Sequence, residues 1–568
     1  MKASETNFLN FLRKTTQFII PIYQRTYSWH LEQCEQIWKD INEAGENENI
    51  SSHFIGSVVY IEQDTYQISA NTAMLVIDGQ QRLTTLFLLL EAFARELDSR
   101  KIEIDNMSAD KLRNRYLLNP SEDDEQEFKL LLTETDKDSL LALLKQKELP
   151  KSYSINIKNN FNYFVDELKK YSDNKIFKIW NGINKLIVVD VSLTRGKDNP
   201  QLIFESMNST GKELSQVDLI RNFILMGLEE KQQKELYIDY WRKMELLFGQ
   251  KQYEPIFNAF VRHYLTMKNK SIPRFDDIYD SYKTYKKASN KSIKDLVIDL
   301  YNYSTYFCDI FFGNQNQYST ESLNKSFESF RELQADVAYP LLLELYNDFV
   351  NGILKENEFC EVVKLIESYI FRRSICEIPT NSLNKTFSTF IKDINKKDYL
   401  KSVKEKFTSL DDYRRFPKND EFEIRICQKN VYNFYYSKYL LISLENAKRH
   451  KGKFRFNEEY TIEHIMPQTL SEEWKLELGE EWESLHTEML HTLGNLTLTE
   501  YNAEYSNELF NKKLYLPEKG LRYSPLMLNS YFRDPTLTEW NKQHIQKRAK
   551  QLANDAINIW LYPTILEQ

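Results

Sequence analysis

The fold of the last part of this chain is decided by Thr461-Ile462-Glu463-His464-Ile465-Met466-Pro467-Gln468 and, further on, His491-Thr492-Leu493-Gly494-Asn495-Leu496-Thr497-Leu498. Glu463 and His464 are adjacent, so in a regular strand their side chains would point to opposite faces. At the bent end of a hairpin they can converge, and Pro467 ends strand pairing at that point. The two stretches therefore predict a short hairpin that brings a carboxylate and a histidine into one site.

The residue types in this hairpin are those that hydrolysis of a phosphodiester requires. The reaction needs an activated water and a positive charge near the leaving oxygen. A histidine suits the first task because its pKa lies near the operating pH, and a divalent cation suits the second. The five cysteines are scattered without a C-x-x-C pair, which argues against a zinc ribbon and a disulfide framework. Any metal would then be held by Asp, Glu, Asn or His side chains, and the oxygen donors among these favour Mg²⁺ or Mn²⁺ over zinc.

The bulk composition is that of a large globular protein. The 568 residues exceed what one hydrophobic core covers, so about three domains are expected. Hydrophobic residues make up 42% and charged residues 28% of the chain, and no apolar run reaches the length of a membrane span. Residues 1–5 contain no apolar signal core. We therefore expect a cytoplasmic protein that is not associated with a membrane.

The net charge of −8 is not that of a typical nucleic-acid binder, so any contact with DNA must be confined to part of the surface. A basic loop lies just before the predicted hairpin and includes Lys448, Arg449 and Lys451. Such a loop is usually a solvated surface. Its position makes contact with a DNA backbone an equally good interpretation.

The hydrophobic patterning predicts a mostly helical α+β protein in three parts. Residues 1–231 form an α/β domain with a helical insertion from about 100 to 180, residues 232–405 a helical middle, and residues 406–568 the domain that carries the hairpin. A helical stripe of apolar residues starts at Leu83. The segments with extended or strand character are 18–23, 54–61, 73–77 and 185–191.

A second candidate site, Asp78-Gly79-Gln80-Gln81-Arg82, lies between a predicted strand and a predicted helix. Glycine permits a turn that other residues avoid, and the helix N-terminus offers free N–H groups to a phosphate. Arg82 adds a forked donor, and the two glutamines can orient water or a base. A rigid segment around Arg25 supplies another arginine. The alternative interpretation is a buried turn with an Arg–Asp ion pair.

Three segments together resemble the N-terminal domain of GmrSD-type proteins, a ParB/sulfiredoxin-like nucleotide-binding domain. They are residues 20–29, residues 78–82 and residues 204–214, in that order. The C-terminal motifs, including residues 493–498 and 505–507, resemble the nuclease domain of the same family, and the hairpin resembles that of His-Me finger (HNH) nucleases, which have a ββα-metal fold. The resemblance covers both ends of the chain, whereas the helical middle adds little to it.

The resemblance assigns roles to the hairpin residues. It implies that His464 is the general base, that Glu463 and Asn502 are metal ligands, and that Asn495 braces the loop that carries the base. Glu463 stands where many such nucleases have Asp or His. Asn507 and Lys512 are candidates for a metal ligand or a phosphate contact.

At the other end of the chain, the resemblance implies a site that binds and hydrolyses a nucleoside triphosphate. Residues 218–222 are further family positions without an assigned role. The residues implied in nucleotide binding are Tyr23, Gln24, Arg25, Asp78, Gly79, Gln80, Gln81, Arg82 and Asn208.

The family comprises type IV, modification-dependent restriction endonucleases and related phage-defence nucleases. The leading hypothesis is an NTP-regulated, metal-dependent endonuclease that cuts double-stranded, modified phage DNA. One alternative is a nucleotide-gated DNA-binding sensor, and another is a self-targeting nickase that aborts infection. The nucleotide, the DNA modification and the oligomeric state are left open, with a homo-oligomer among the possibilities. For His486 and His491, packing or surface roles are favoured over support of the site.

Overall fold

The computed structural model describes residues 1–62, 73–194, 198, 201, 203, 214–226, 228–313, 316–449, 452, 454 and 459–565. These residues divide into two compact units. The first contains residues 1–243 and 292–297, and the second contains residues 244–291 and 298–568. The three-part division expected from the sequence stays a prediction. Within the described chain, no helix combines the length and the apolar character that a membrane crossing needs.

The first unit is built on a mixed sheet of six strands in the order β1-β6-β3-β4-β2-β5. Strands β3 and β4 are antiparallel to each other, whereas β3 and β6 are parallel, as are β2 and β4. The strands are Lys2–Asn7 (β1), Gln17–Ile19 (β2), His53–Glu62 (β3), Ala73–Asp78 (β4), Leu130–Leu131 (β5) and Leu186–Leu193 (β6).

Helices surround this sheet, and α3 is the central one because most of its residues are buried on all sides. It packs against α6, while α2 packs against α7. The helices of the first unit are Phe8–Lys14 (α1), Leu31–Glu46 (α2), Gln80–Arg100 (α3), Ala109–Leu112 (α4), Glu134–Leu144 (α5), Ile155–Lys169 (α6), Asp173–Asn184 (α7), Gln216–Leu225 (α8) and Glu230–Leu236 (α9).

The second unit is largely helical and its core is rich in stacked aromatic rings, as between Phe248 and Phe257 or Tyr306 and Tyr346. Helices α10 and α12 begin in the first unit. The helices from there to the hairpin are Arg242–Asn269 (α10), Ile278–Ser289 (α11), Ile293–Phe312 (α12), Glu321–Leu333 (α13), Tyr339–Val350 (α14), Glu356–Ile375 (α15), Leu383–Thr389 (α16), Tyr399–Thr408 (α17), Asn419–Gln428 (α18) and Ser437–Ala447 (α19).

The predicted hairpin consists of two short antiparallel strands that are followed by two short helices. A separate hydrophobic cluster, which includes Trp474, Phe510 and Trp540, lies beneath it. The elements of this region are Thr461–His464 (β7), Glu472–Leu478 (α20), Trp482–Met489 (α21), Leu496–Thr499 (β8), Asn502–Tyr505 (α22), Phe510–Tyr515 (α23) and Lys542–Ile559 (α24).

The mostly helical α+β class is confirmed. The predicted extended segments correspond to β2, β3, β4 and β6, and the predicted helical stripe is α3. Two strands were not foreseen. Strand β1 lies at the start of the chain, and β5 comes from the insertion that was expected to be helical, where it extends the sheet by pairing with β2.

Candidate active site and nucleotide site

The hairpin places Glu463 and His464 at the end of β7, opposite Thr497 and Leu496 of β8. Beyond the paired strands, the Ile465 N–H donates to the Asn495 carbonyl at 2.9 Å, which continues the ladder into the loop. The strand ends there because Pro467, which has no N–H, follows closely. His464 therefore sits at the point where β7 turns into a loop.

Asn495 binds that loop through its side chain. Its Oδ1 accepts from the Met466 N–H at 2.8 Å and from Trp540 Nε1 at 3.0 Å. Its Nδ2 donates to the carbonyls of Met466 and Leu490, both at 2.9 Å. An amide has two acceptor and two donor positions, so the fully buried Asn495 side chain is saturated. This geometry is that of a brace between the two halves of the site.

Helix α24 supports the brace from below. A Cβ on Gly494 would lie 2.1 Å from the Ile545 carbonyl oxygen, so only glycine lets the helix backbone approach this closely. The buried Arg548 donates from Nη1 to the carbonyls of Gly494 at 2.8 Å and Leu496 at 2.7 Å. The turn before β8 is thus held by helix α24, whose backbone packs against Gly494 and whose Arg548 side chain binds the carbonyls of the turn.

The ring of His464 is flanked by polar and aromatic groups. His464 Nε2 lies 3.0 Å from His491 Nδ1, and Gln468 Nε2 lies 3.4 Å from His464 Nδ1. The ring of Tyr432 is centred 4.5 Å from that of His464 and is stacked on His491 at 5.3 Å. Burial, followed by the neighbouring His491 and Lys513, lowers the pKa of His464 to about 3. His464 is therefore neutral at physiological pH.

His491 therefore lies against His464. Its ring also stacks on Tyr432, and the interpretation that favours packing or surface roles over support of the site stays a prediction. His486 Nε2 lies 3.0 Å from the carbonyl of Pro467 and supports the loop beside the site. The regular spacing of motifs could not indicate the contact between His464 and His491. The one signal in the sequence was the position of His491 at the start of the second stretch.

Glu463 faces a lysine that the sequence did not single out. Lys513 Nζ of helix α23 lies 2.5 Å from Glu463 Oε1 and 2.9 Å from the His464 carbonyl oxygen. Burial raises the pKa of Glu463 and lowers the pKa of Lys513, and the contact between the two groups opposes both shifts. The carboxylate is therefore already paired with a fixed cation.

The predicted metal ligands do not form an open cation site in this arrangement. One Glu463 oxygen is taken by Lys513, and the Asn502 amide donates to Thr461 Oγ1 at 3.1 Å. Asn507 is exposed. In the described part of the chain, no three His, Cys, Asp or Glu side chains are grouped as metal ligands would be. The metal-ligand roles stay predictions, and we assign no step to a metal.

The turn from β4 into α3 has the geometry expected for its sequence. Gly79 has φ of 94°, and a Cβ there would lie 2.7 Å from the Ser57 carbonyl oxygen. The N–H groups in the first turn of an α-helix have no partner within the helix, and no side chain at the N-cap position of α3 supplies one. Arg82 donates from Nη1 to the Ser57 carbonyl at 2.6 Å. Its guanidinium lies against Gly56, which has φ of 104°.

The two glutamines of this turn hold the neighbouring segment. Gln81 Oε1 accepts from the backbone N–H groups of Ser28 at 2.8 Å and Trp29 at 3.3 Å, and Gln81 Nε2 donates to the Thr26 carbonyl at 3.3 Å. Gln80 Nε2 donates to the Arg25 carbonyl at 3.0 Å. These contacts bring the arginine segment and the turn together.

The same segment is held from its other end. Gln24 Nε2 donates to the Ile77 carbonyl at 2.8 Å. The buried Arg221 of α8 donates from Nε to the Tyr23 carbonyl at 3.1 Å and is paired with Asp218 at 2.8 Å. Burial raises the pKa of Tyr23 well above its usual range, so its hydroxyl stays protonated. Asn208 lies outside the described residues.

The Arg–Asp ion pair of the alternative interpretation is not formed. Arg82 and Asp78 are both described, and Arg82 is directed to Ser57 rather than to Asp78. Both Arg82 and Arg25 are partly exposed, as is Asp78. The charged groups of the turn are therefore accessible, whereas its glutamines are buried.

Three of the four basic residues predicted to contact DNA are already paired with acidic side chains. Lys448 Nζ lies 2.5 Å from Asp555, and Arg449 Nε lies 2.6 Å from the buried Glu445. Lys512 is exposed and lies 2.8 Å from Glu508. Lys451 falls outside the described residues. The DNA-backbone role of these residues stays a prediction.

The fold and the two sites define a multidomain protein that has a strand–turn–helix with accessible arginines in its first unit and a histidine-bearing hairpin followed by short helices in its second unit. Residues 8–225 match the family model described as "GmrSD restriction endonuclease, N-terminal domain", and residues 416–555 match "GmrSD restriction endonucleases, C-terminal domain". The chain belongs to the GmrSD restriction endonuclease family.

A curated protein of Methanocaldococcus jannaschii is also similar to this chain. It bears the name "Uncharacterized protein MJ0686" and is 22% identical over 253 residues. The match covers 40% of this chain and 43% of that protein, so the chain spans less than half the length of this relative.

Proposed function

We propose that this chain is a DNA endonuclease that restricts foreign, modified phage DNA under the control of a nucleoside triphosphate. The observation that carries the proposal is the neutral, buried His464 at the end of β7, beside the loop that Asn495 braces, within a chain whose two ends match both domains of the GmrSD family. A neutral imidazole keeps a lone pair for the proton of an attacking water.

His464 activates the water in this proposal. Because its pKa is low before DNA binds, the histidine needs a nearby negative charge to become a stronger base. A phosphodiester placed beside it supplies that charge and stabilises the imidazolium as it forms. The rigid brace at Asn495 keeps the ring in place during this transfer.

The first unit would bind the nucleotide at the start of α3. Free N–H groups of the first helical turn and the positive end of the helix dipole suit a phosphate. Arg82 and Arg25 are the accessible cations beside them. The buried glutamines position these groups rather than contacting the nucleotide, which refines the role first expected for them.

Cleavage of differently modified phage DNAs, with and without each NTP, tests the function. The parent should cleave at least one modified DNA in an NTP-dependent manner, and His464→Ala should not. Arg82→Ala should lower nucleotide hydrolysis while the fold is kept. Parental cleavage by His464→Ala would refute the role of the hairpin, and unchanged hydrolysis by Arg82→Ala would refute the nucleotide site.

A nucleotide-gated DNA-binding sensor is the second candidate. It is favoured by the pairing of Glu463 with Lys513, which leaves the hairpin without an open carboxylate. A sensor would bind modified DNA in the presence of nucleotide and leave every phosphodiester intact. Nicking of supercoiled DNA across a titration of Mg²⁺ or Mn²⁺ distinguishes the two functions.

A further inference from the structure

Tyr27 is a junction between the arginine segment and the helical insertion of the first unit. Its N–H donates to Asp136 Oδ2 of α5 at 2.6 Å, and its carbonyl accepts from Asn156 Nδ2 of α6 at 3.2 Å. Its hydroxyl lies 2.9 Å from Asn160 Nδ2, also of α6, and 2.6 Å from Thr85 Oγ1 of α3. Both backbone polar groups and the hydroxyl of this buried residue are therefore satisfied, and three of the four partners belong to the insertion.

The hydrogen bonds through the Tyr27 hydroxyl have a fixed direction. Thr85 uses its one hydroxyl hydrogen for the Gln81 carbonyl at 2.9 Å, so the Tyr27 hydroxyl is the donor to Thr85 Oγ1. Asn160 Nδ2 donates to the Tyr27 oxygen and, at 2.8 Å, to the Trp29 carbonyl, which can only accept. A directed chain of hydrogen bonds thus runs from α6 through Tyr27 to the first turn of α3.

This chain lies in the interior and contains no charged group. The side chains of Asn160, Tyr27 and Thr85 are all buried. Burial raises the pKa of Tyr27 well above its usual range, so its hydroxyl remains a donor at physiological pH. A buried polar group that loses its partner bears the full desolvation penalty. Displacing any member of the chain is therefore unfavourable.

Helices α3 and α6 hold the arginine segment from two sides. On the α3 side, Gln80 Nε2 donates to the Arg25 carbonyl at 3.0 Å, and Gln81 Oε1 accepts from two N–H groups further along the segment. Tyr27 lies between these points and faces the insertion. The position of Arg25 relative to the first turn of α3 therefore depends on α6 as well as on α3.

We propose that the helical insertion forms the back of the nucleotide site and that Asn160 is a positioning residue, which holds Arg25 against the first turn of α3 through Tyr27. This inference rests on the proposed nucleotide site. Arg25 contacts the phosphates, whereas Asn160 contacts no part of the nucleotide and acts through the arginine segment alone. A guanidinium that is already held in place loses less entropy when phosphate binds, so the affinity for nucleotide depends on a helix behind the site.

Calorimetric titration of the full chain with ATP, GTP, CTP and UTP in the presence of Mg²⁺ tests this role. Asn160→Leu replaces the amide by methyl groups and removes both donors. It should weaken binding of whichever nucleotide the parent binds by about tenfold, the effect of one lost hydrogen bond. Asn159→Leu is the matched control, because Asn159 is the adjacent, exposed residue of α6, and it should bind as the parent does. Parental affinity in folded Asn160→Leu would overturn the inference.

A second substitution separates this role from a general effect on stability. Tyr27→Phe keeps the ring but removes the hydroxyl, so it interrupts the same chain at the next member. If Asn160 acts through Tyr27, the double variant should bind nucleotide within about twofold of Asn160→Leu alone, whereas independent effects would add. Additive losses of affinity would contradict the proposed route.

Hydrogen exchange without nucleotide keeps the inference apart from the proposed function. Amides of residues 25–29 should exchange faster in Asn160→Leu than in the parent, and at the parental rate in Asn159→Leu. Equal exchange in the parent and in Asn160→Leu overturns the inference even where nucleotide binds. A parent that binds none of the four nucleotides refutes the proposed nucleotide site instead, and the exchange rates then still decide whether Asn160 positions the segment.

Discussion

Lys513 Nζ lies 2.5 Å from Glu463 Oε1, and the two side chains are 0% and 5% exposed. The lysine also donates to the His464 carbonyl at 2.9 Å, so one ammonium group holds both residues of the Glu-His motif. An ion pair without solvent depends on both of its members, because either one alone is a buried charge without a partner.

Lys513→Met should therefore lower the free energy of unfolding by about 3–5 kcal/mol, the usual effect of removing one member of a buried pair. Lys512→Met is the matched control, because Lys512 is adjacent but exposed and should change stability little. Urea unfolding of the two variants measures the difference. Equal stability of both would show that Lys513 and Glu463 are not paired in the folded protein.

His464 should make the stability of the protein depend on pH. Burial, with help from His491 and Lys513, lowers its pKa from 6.5 to about 3 in the folded state. The unfolded chain then binds this proton at a higher pH than the folded protein does. The contribution is present above pH 6.5 and is lost as the pH falls toward 3. Unfolding measured across this window should be less pH-dependent in His464→Asn, and identical profiles would contradict the shift.

Gln81→Ala should loosen the segment that carries Arg25. The substitution removes the acceptor for the N–H groups of Ser28 and Trp29 and the donor to Thr26, at a cost of ~1–3 kcal/mol. Faster hydrogen exchange of residues 25–29 is the expected result. Gln36→Ala, which removes an exposed amide that donates to Asp40, serves as the control and should leave that exchange unchanged.

Gly56→Ala should displace Arg82. A Cβ on Gly56 would lie 2.6 Å from the guanidinium carbon, and φ of 104° is unfavourable for alanine. We expect weaker nucleotide binding by calorimetry and a lower stability. Gly249→Ala is the control, since it has φ of 70° but nothing within 4 Å of the added Cβ. Equal nucleotide affinity in the parent and in Gly56→Ala would show that Arg82 does not contribute to nucleotide binding.

Chelation tests the predicted metal. EDTA should abolish DNA cleavage, and Mg²⁺ or Mn²⁺ should restore it, because oxygen donors predominate among the predicted ligands Glu463, Asn502 and Asn507. If the cation enters beside Glu463, Lys513→Met should also change the concentration of Mg²⁺ required. Cleavage that persists in EDTA would contradict the predicted metal and would leave Lys513 as the source of the positive charge near the leaving oxygen.

The sequence by itself determined the mostly helical α+β class, the hairpin and the strand–turn–helix at Gly79, because turn chemistry and hydrophobic periodicity act over a few neighbouring residues. Strand β5 could not be predicted, since its two residues are extended only through pairing with β2. Only the tertiary structure decided that the glutamines of the turn form hydrogen bonds with the backbone of the neighbouring segment, that His491 contacts His464, and that Lys513 pairs with Glu463. The last two contacts join residues 27 and 50 positions apart, and such contacts depend on how helices pack around the hairpin rather than on local spacing.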